Sequence, residues 1–153
     1  MAVLITNNQN LLKIQTEQFR KIAQALLNDL DSPDGELSIF ITDDENIAEI
    51  NKAYFNKPWP TNVISFSMIE GEFVDVNPEA KLLGDIVISV ETALREAKEA
   101  DVSAEDRLVM LLIHGLLHIF GYDHETPESD EAMMERKSEE MWGMLEREGL
   151  RAG

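Results

Sequence analysis

Residues 108–120 read LVMLLIHGLLHIF, apolar on every side of a helix apart from two histidines four residues apart. A helix that is apolar all round has to be covered by other elements, so this stretch predicts a central buried helix in a layered fold. Ser103 with Asp106 opens that helix as cap and first turn, and Gly121 sits where it ends. Residues four apart project from the same helix face, so His114 and His118 present two nitrogens together.

The rest of the chain alternates strand-like and helix-like runs. Ala2–Ile5 reads as a short strand, and Leu11–Leu30 as a helix with apolar residues at Leu12, Phe19, Ile22, Ala23, Leu26 and Leu30. After the turn cluster Asp31–Gly35, the alternation Leu37, Ile39, Ile41 predicts a second strand. Thr42 with Glu45 reads as a capping box for a helix that stops near Phe55. Pro58 and Pro60 then stiffen the loop 56–60, in which Trp59 reads either as a ring that could stack an unpaired base or, as is commoner between prolines, as a lid packed down on the core. Val63–Met68 and Leu83–Val90 are two further strands, with a hairpin excursion over Glu70–Pro78 between them. Glu91–Ala100 is a charged surface helix, and Thr126 and Pro127 open a last helix with Met133, Met134, Met141 and Trp142 turned inward. These elements predict one domain over residues 1–153.

Cysteine is absent, so disulfides and thiolate ligands are excluded and any metal site must use nitrogen and oxygen donors. MAVLITNNQN lacks the features of a secretory signal and no apolar run is long enough to span a bilayer, which predicts a cytoplasmic protein with no membrane partner. The net charge of −17 opposes phosphate binding in total but not in distribution. Residues 123–149 hold ten Asp or Glu against Arg136, Lys137 and Arg147, whereas residues 46–68 hold Lys52 and Lys57 against Glu49.

All three histidines of the chain fall in HGLLHIFGYDH, residues 114–124. A positive φ at Gly121 would turn the chain back after the helix, letting His124 join His114 and His118 on one ion. Three neutral imidazoles suit zinc, with nickel and copper as other acceptable ions. Three protein ligands leave the fourth position for water, whose pKa falls to about 7. The alternative makes His114 and His118 core residues bonded to backbone carbonyls, with His124 on the surface beside Asp123. Two polar rings on an apolar helix would then each need a partner, at about 1–3 kcal/mol for each one left unsatisfied. The spacing also matches the metzincin protease pattern HExxHxxGxxH, except that the general-base glutamate is Gly115 here, which argues against peptide hydrolysis.

HGLLHIFGYDH resembles HGxLHLxGYDH, the signature of the YbeY family of rRNA maturation factors, and Leu83, Gly84, Asp85 and Ile86 match that family's LGDI strand. The resemblance covers nearly the whole chain. It implies a zincin-like α+β fold, a mixed four-stranded sheet packed with helices whose central buried helix carries the metal motif. It also implies one zinc ion held by His114, His118 and His124. The activity it implies is single-strand-specific endoribonuclease work in 16S rRNA 3′-end maturation and ribosome quality control, with rRNA as substrate and ribosomal proteins as further partners.

One segment departs from the pattern. Where the family reads YRxxDxPTDVLSF this chain reads YFNKPWPTNVISF, with Phe55 for the arginine, Pro58 for the first aspartate and Asn62 for the second. Phenylalanine cannot fork onto a phosphate as arginine does; Lys57, the nearest cation in sequence, is the candidate catalytic charge in its place, against the commoner reading of an exposed loop lysine that is merely solvated. Asp85 is a second candidate, either orienting a ligand histidine or helping to shape a bulge at the start of its strand. Two further readings are a metal-stabilised ribosome-assembly factor with little nuclease activity and a metal-dependent hydrolase of another substrate.

Overall fold

A computed structural model of the chain describes residues 3–69, 82–122 and 127–151. The elements are β1 (Val3–Asn7), α1 (Thr16–Asp29), β2 (Glu36–Thr42), α2 (Asp44–Phe55), β3 (Val63–Ser67), β4 (Leu82–Ser89), α3 (Val90–Ala100), α4 (Ala104–Ile119) and α5 (Pro127–Arg147). The fold is α+β, and its strands form one mixed sheet in the order β1-β2-β4-β3, parallel except for the antiparallel edge pair β3 and β4.

Period-two alternation sorts the sheet into two apolar faces. Leu37, Ile39, Ile41, Ile86 and Ile88 meet α1, α4 and α5 in the main core, while Phe40, Ile64 and Val87 pack with Ile47 and Ile50 of α2 on the other face. Most of α4 is buried, Leu108, Leu112, Ile113, Leu116 and Leu117 almost completely. Burying one such side chain contributes about 1.5–3 kcal/mol, so the apolar run selects the central position. The remaining stripe of α4, Arg107, Met110, His114 and His118, keeps some exposure.

Two glycines set the close approaches around α4. Gly115 faces β4, and a Cβ there would come within 3.1 Å of Ile86. The residue after the first histidine therefore points at the sheet, which leaves no room for a catalytic side chain at that position. Gly84 has φ of 152°, and a Cβ on it would lie 2.1 Å from the Phe66 carbonyl oxygen. Here the β2–β4 register slips, with Glu36 opposite Leu82 and Leu37 opposite Gly84. This bulge lets Leu83 and Ile86 both reach the main core and turns Asp85 to the other face.

Several local expectations need correction. α1 begins at Thr16 because the Gln9 side chain organises a preceding turn: its Oε1 accepts from the amides of Leu11 and Leu12, and its Nε2 donates to the Leu12 carbonyl. Asp43, not Thr42, caps α2, its carboxylate accepting from the Asn46 amide at 2.9 Å. Thr42 is instead committed to the β2 ladder opposite Ser89. Met133 is 45% exposed, while Met141, Met144 and Leu145 supply the inward face of α5. The Glu70–Pro78 excursion and the Thr126 cap lie outside the described residues. No helix among the described residues is long and apolar enough to cross a membrane.

Candidate metal centre

Ser103 fixes the start of α4 by accepting from the Asp106 amide at 3.0 Å, and Gly121, with φ of 84°, ends it. The Gly121 amide donates to the His118 carbonyl and the Tyr122 amide to the Leu117 carbonyl, so the last carbonyls of the helix are satisfied as the chain turns. One turn of helix then sets the histidines. Their Nε2 atoms lie 2.9 Å apart and their ring centroids 4.5 Å apart, with the planes inclined at 68°. His114 is exposed and His118 half-buried.

At 2.9 Å the two Nε2 atoms are at hydrogen-bond distance from each other, one ring donating and the other accepting according to tautomer. Two donors on one tetrahedral zinc at about 2.0–2.1 Å stand about 3.3 Å apart, so a small opening of the side-chain torsions admits the ion. The pair sits in the last turns of α4, where the negative end of the helix dipole favours a cation. Among the described residues no group of three His, Asp or Glu side chains gathers round an ion. His124 and Asp123 lie outside the described residues.

The histidines open onto a cleft of about 530 Å³ whose other wall is the α2–β3 loop and the edge strand β3. Phe55, Lys57, Trp59, Asn62 and Ser65 all line it with His114 and His118. Lys57 lines the same cleft as the histidine pair, the sole Lys or Arg among the described residues to do so. Asp85 is not: it lies on the α2 face of the sheet, lining a separate depression with Ser38, Tyr54 and Phe66. Trp59, expected to cover the core, is 56% exposed and borders the cleft instead. Phe55 lies in the cleft wall, stacked on Phe66 with centroids 5.9 Å apart and planes at 14°.

Sequence reasoning passed over a polar network beside the pair. Glu96 of α3 accepts from Arg107 Nε and Nη2 at 3.0 and 2.9 Å and from Asn62 Nδ2 at 3.1 and 3.2 Å. Arg107 lines a neighbouring groove together with His114, Met110 and Trp142. The available signal was its position seven residues before His114, two turns along the same helix face. Asn62 is an amide in a place where a carboxylate would meet Glu96 at hydrogen-bond distance, so its donor suits this partner better than the aspartate of the related pattern.

A mostly buried helix thus presents two imidazoles to a cleft that Lys57 borders, on an α+β scaffold. The family model described as Endoribonuclease YbeY matches residues 4–146, and the chain belongs to the YbeY family. Proteins named Endoribonuclease YbeY from Geobacter metallireducens and Geobacter sulfurreducens are 50% and 49% identical to it, each match covering 98% of this chain and 99% of the relative. One from Syntrophus aciditrophicus is 48% identical over 95% of this chain and 90% of its own. The solution structure of a Thermotoga maritima protein shares the fold with a TM-score of 0.61, at 20% identity over 99% of this chain and 96% of that one.

Proposed function

We propose that the chain works as one metal-dependent endoribonuclease domain that cuts single-stranded RNA, with His114, His118 and His124 holding one zinc ion. The observation that carries this reading is the 2.9 Å approach of the His114 and His118 Nε2 atoms on the wall of the cleft that Lys57 borders. Family membership supports the reaction class, and the neutral nitrogen donor set suits zinc. His124 enters from the sequence alone, three residues beyond the turn at Gly121. The finer assignment, 16S rRNA 3′-end maturation and ribosome quality control in the cytoplasm, with rRNA and ribosomal proteins as partners, rests on the family resemblance.

The chemistry a bound zinc ion supplies is activation of water near neutral pH and polarisation of a phosphoryl oxygen. The chain's own residues do the rest. His114 and His118 keep their Nε2 atoms directed to a common point from a helix whose packing against Ile86 allows little movement. Lys57 sets a positive charge on the opposite wall, where it offsets the charge of a phosphodiester. Phe55 and Val63 supply apolar surface to the lining of the same cleft.

One observation favours a second reading, an assembly factor with weak nuclease activity: where the related pattern has arginine, the cleft carries Phe55. Metal-loaded protein assayed on a single-stranded RNA beside its His114→Ala variant separates the two. The proposal expects cleavage that His114→Ala lowers by about a hundredfold or more, in the range of losses seen when transition-state stabilisation is removed. Binding without His114-dependent cleavage would establish the assembly factor.

A further inference from the structure

Trp59 presents a large apolar ring to solvent from one of the most constrained stretches of the chain. Pro58 and Pro60 fix the backbone on either side. The Trp59 amide donates to the Lys57 carbonyl at 2.9 Å, and its carbonyl accepts from Nδ2 of the buried Asn51 at 3.0 Å. The backbone is thus pinned to α2 while the indole stays 56% exposed on the rim of the histidine cleft. Beside it Phe55, 47% exposed, is held by its stack on Phe66. Two aromatic side chains, one on a fixed backbone and one held by a ring stack, therefore border the cleft without contributing to either core cluster.

Nucleobases are planar and apolar on both faces, and in a duplex their neighbours cover those faces. An exposed indole on a fixed backbone accordingly stacks on a base only when that base is unpaired. Lys57, two residues before Trp59 in the same cleft, supplies the charge that a nucleotide's phosphate requires. A cation, an aromatic plane and the histidine pair along one cleft match the phosphate, the base and the scissile bond of a single RNA strand.

We propose that Trp59 is a stacking platform for an unpaired nucleobase next to the bond that is cut, with Phe55 completing the apolar border, and that this subsite is the source of preference for single-stranded substrate. The inference rests on the RNA-cleaving reading above and names the part of the cleft that selects the strand.

The test uses the full chain in a Trp142→Phe background, so that Trp59 is the one indole. It is titrated with a short oligouridylate, with an abasic ribose-phosphate oligomer of equal length and charge, and with an RNA hairpin stem, with and without metal. The platform predicts quenching of Trp59 fluorescence by oligouridylate and much less by the other two. Trp59→Ala, followed by competition against a labelled oligomer, should weaken oligouridylate about tenfold while leaving the abasic oligomer unchanged, and Trp59→Phe should restore most of the loss. In cleavage assays Trp59→Ala should raise KM with a smaller effect on kcat. Equal binding of the abasic oligomer, or unchanged affinity in Trp59→Ala, overturns the platform. If His114-dependent cleavage persists in that case, the RNA-cleaving reading stands. Absence of both binding and cleavage with every RNA overturns the two together.

Discussion

Phe55 shows how much depends on one side chain. It lies parallel to Phe66 in the cleft wall, so an arginine there could lie on the same ring by cation–π contact and extend its donors toward the substrate phosphate. Phe55→Arg is expected to raise the rate of single-stranded RNA cleavage about tenfold, equivalent to about 1.4 kcal/mol of transition-state stabilisation. Steady-state kinetics on folded, metal-loaded protein checks it, and an unchanged rate would mean that this position does not face the phosphate. The identity of Phe55 was legible from the sequence, as was the shared helix face of His114 and His118. The side of the sheet on which Asp85 lies was not, because it depends on a bulge at Gly84 whose cause is the close passage of the Phe66 carbonyl. Nor was the outward placement of Trp59, which depends on a hydrogen bond from Asn51, eight residues away.

At the level of elements, α4 was readable because its signals are local: an apolar run, a serine cap and a terminating glycine. The start of α1 and the cap of α2 were misread where another contact took the residue, the Gln9 turn in one case and the β2 ladder in the other. Thr42 carries a consequence of that ladder position. It is fully buried, and its hydroxyl has no hydrogen-bond partner among the described residues. Thr42→Val keeps the shape and removes the unsatisfied group, so it should raise unfolding stability by about 1 kcal/mol in a denaturant titration. A loss of similar size would show that the hydroxyl is bonded. The junction of α2 and α3 is held by Asp44, whose carboxylate accepts from Ser89 Oγ, Thr92 Oγ1 and Arg95 Nη2 at 2.6, 2.7 and 2.9 Å. Burial alone would raise the Asp44 pKa, but these hydrogen bonds and the Arg95 charge outweigh it and lower the value. A carboxyl lowered on folding contributes stability above its unfolded pKa of about 3.9, and that contribution fades as pH falls through the folded value. Thermal midpoints of the native chain and Asp44→Asn should therefore differ most near neutrality and converge below about pH 4. A gap that stays constant with pH would assign the effect to packing.

Across the whole molecule, the sheet order came from pairings no local signal carries, since β2 and β4 are parallel neighbours separated by α2 and β3. The net charge of −17 is unevenly placed, with exposed Glu135, Glu139 and Glu140 on α5 and Lys57 at the cleft. Everything proposed for the cleft depends on the histidines of HGLLHIFGYDH acting as ligands rather than as satisfied polar residues. The direct test is the metal content of the purified full chain by elemental mass spectrometry, beside His118→Ala at equal secondary-structure content by circular dichroism. The account predicts about one zinc ion per native chain, removable by a chelator, and a loss of most of it in His118→Ala. Equal metal content in the folded His118→Ala variant would contradict it.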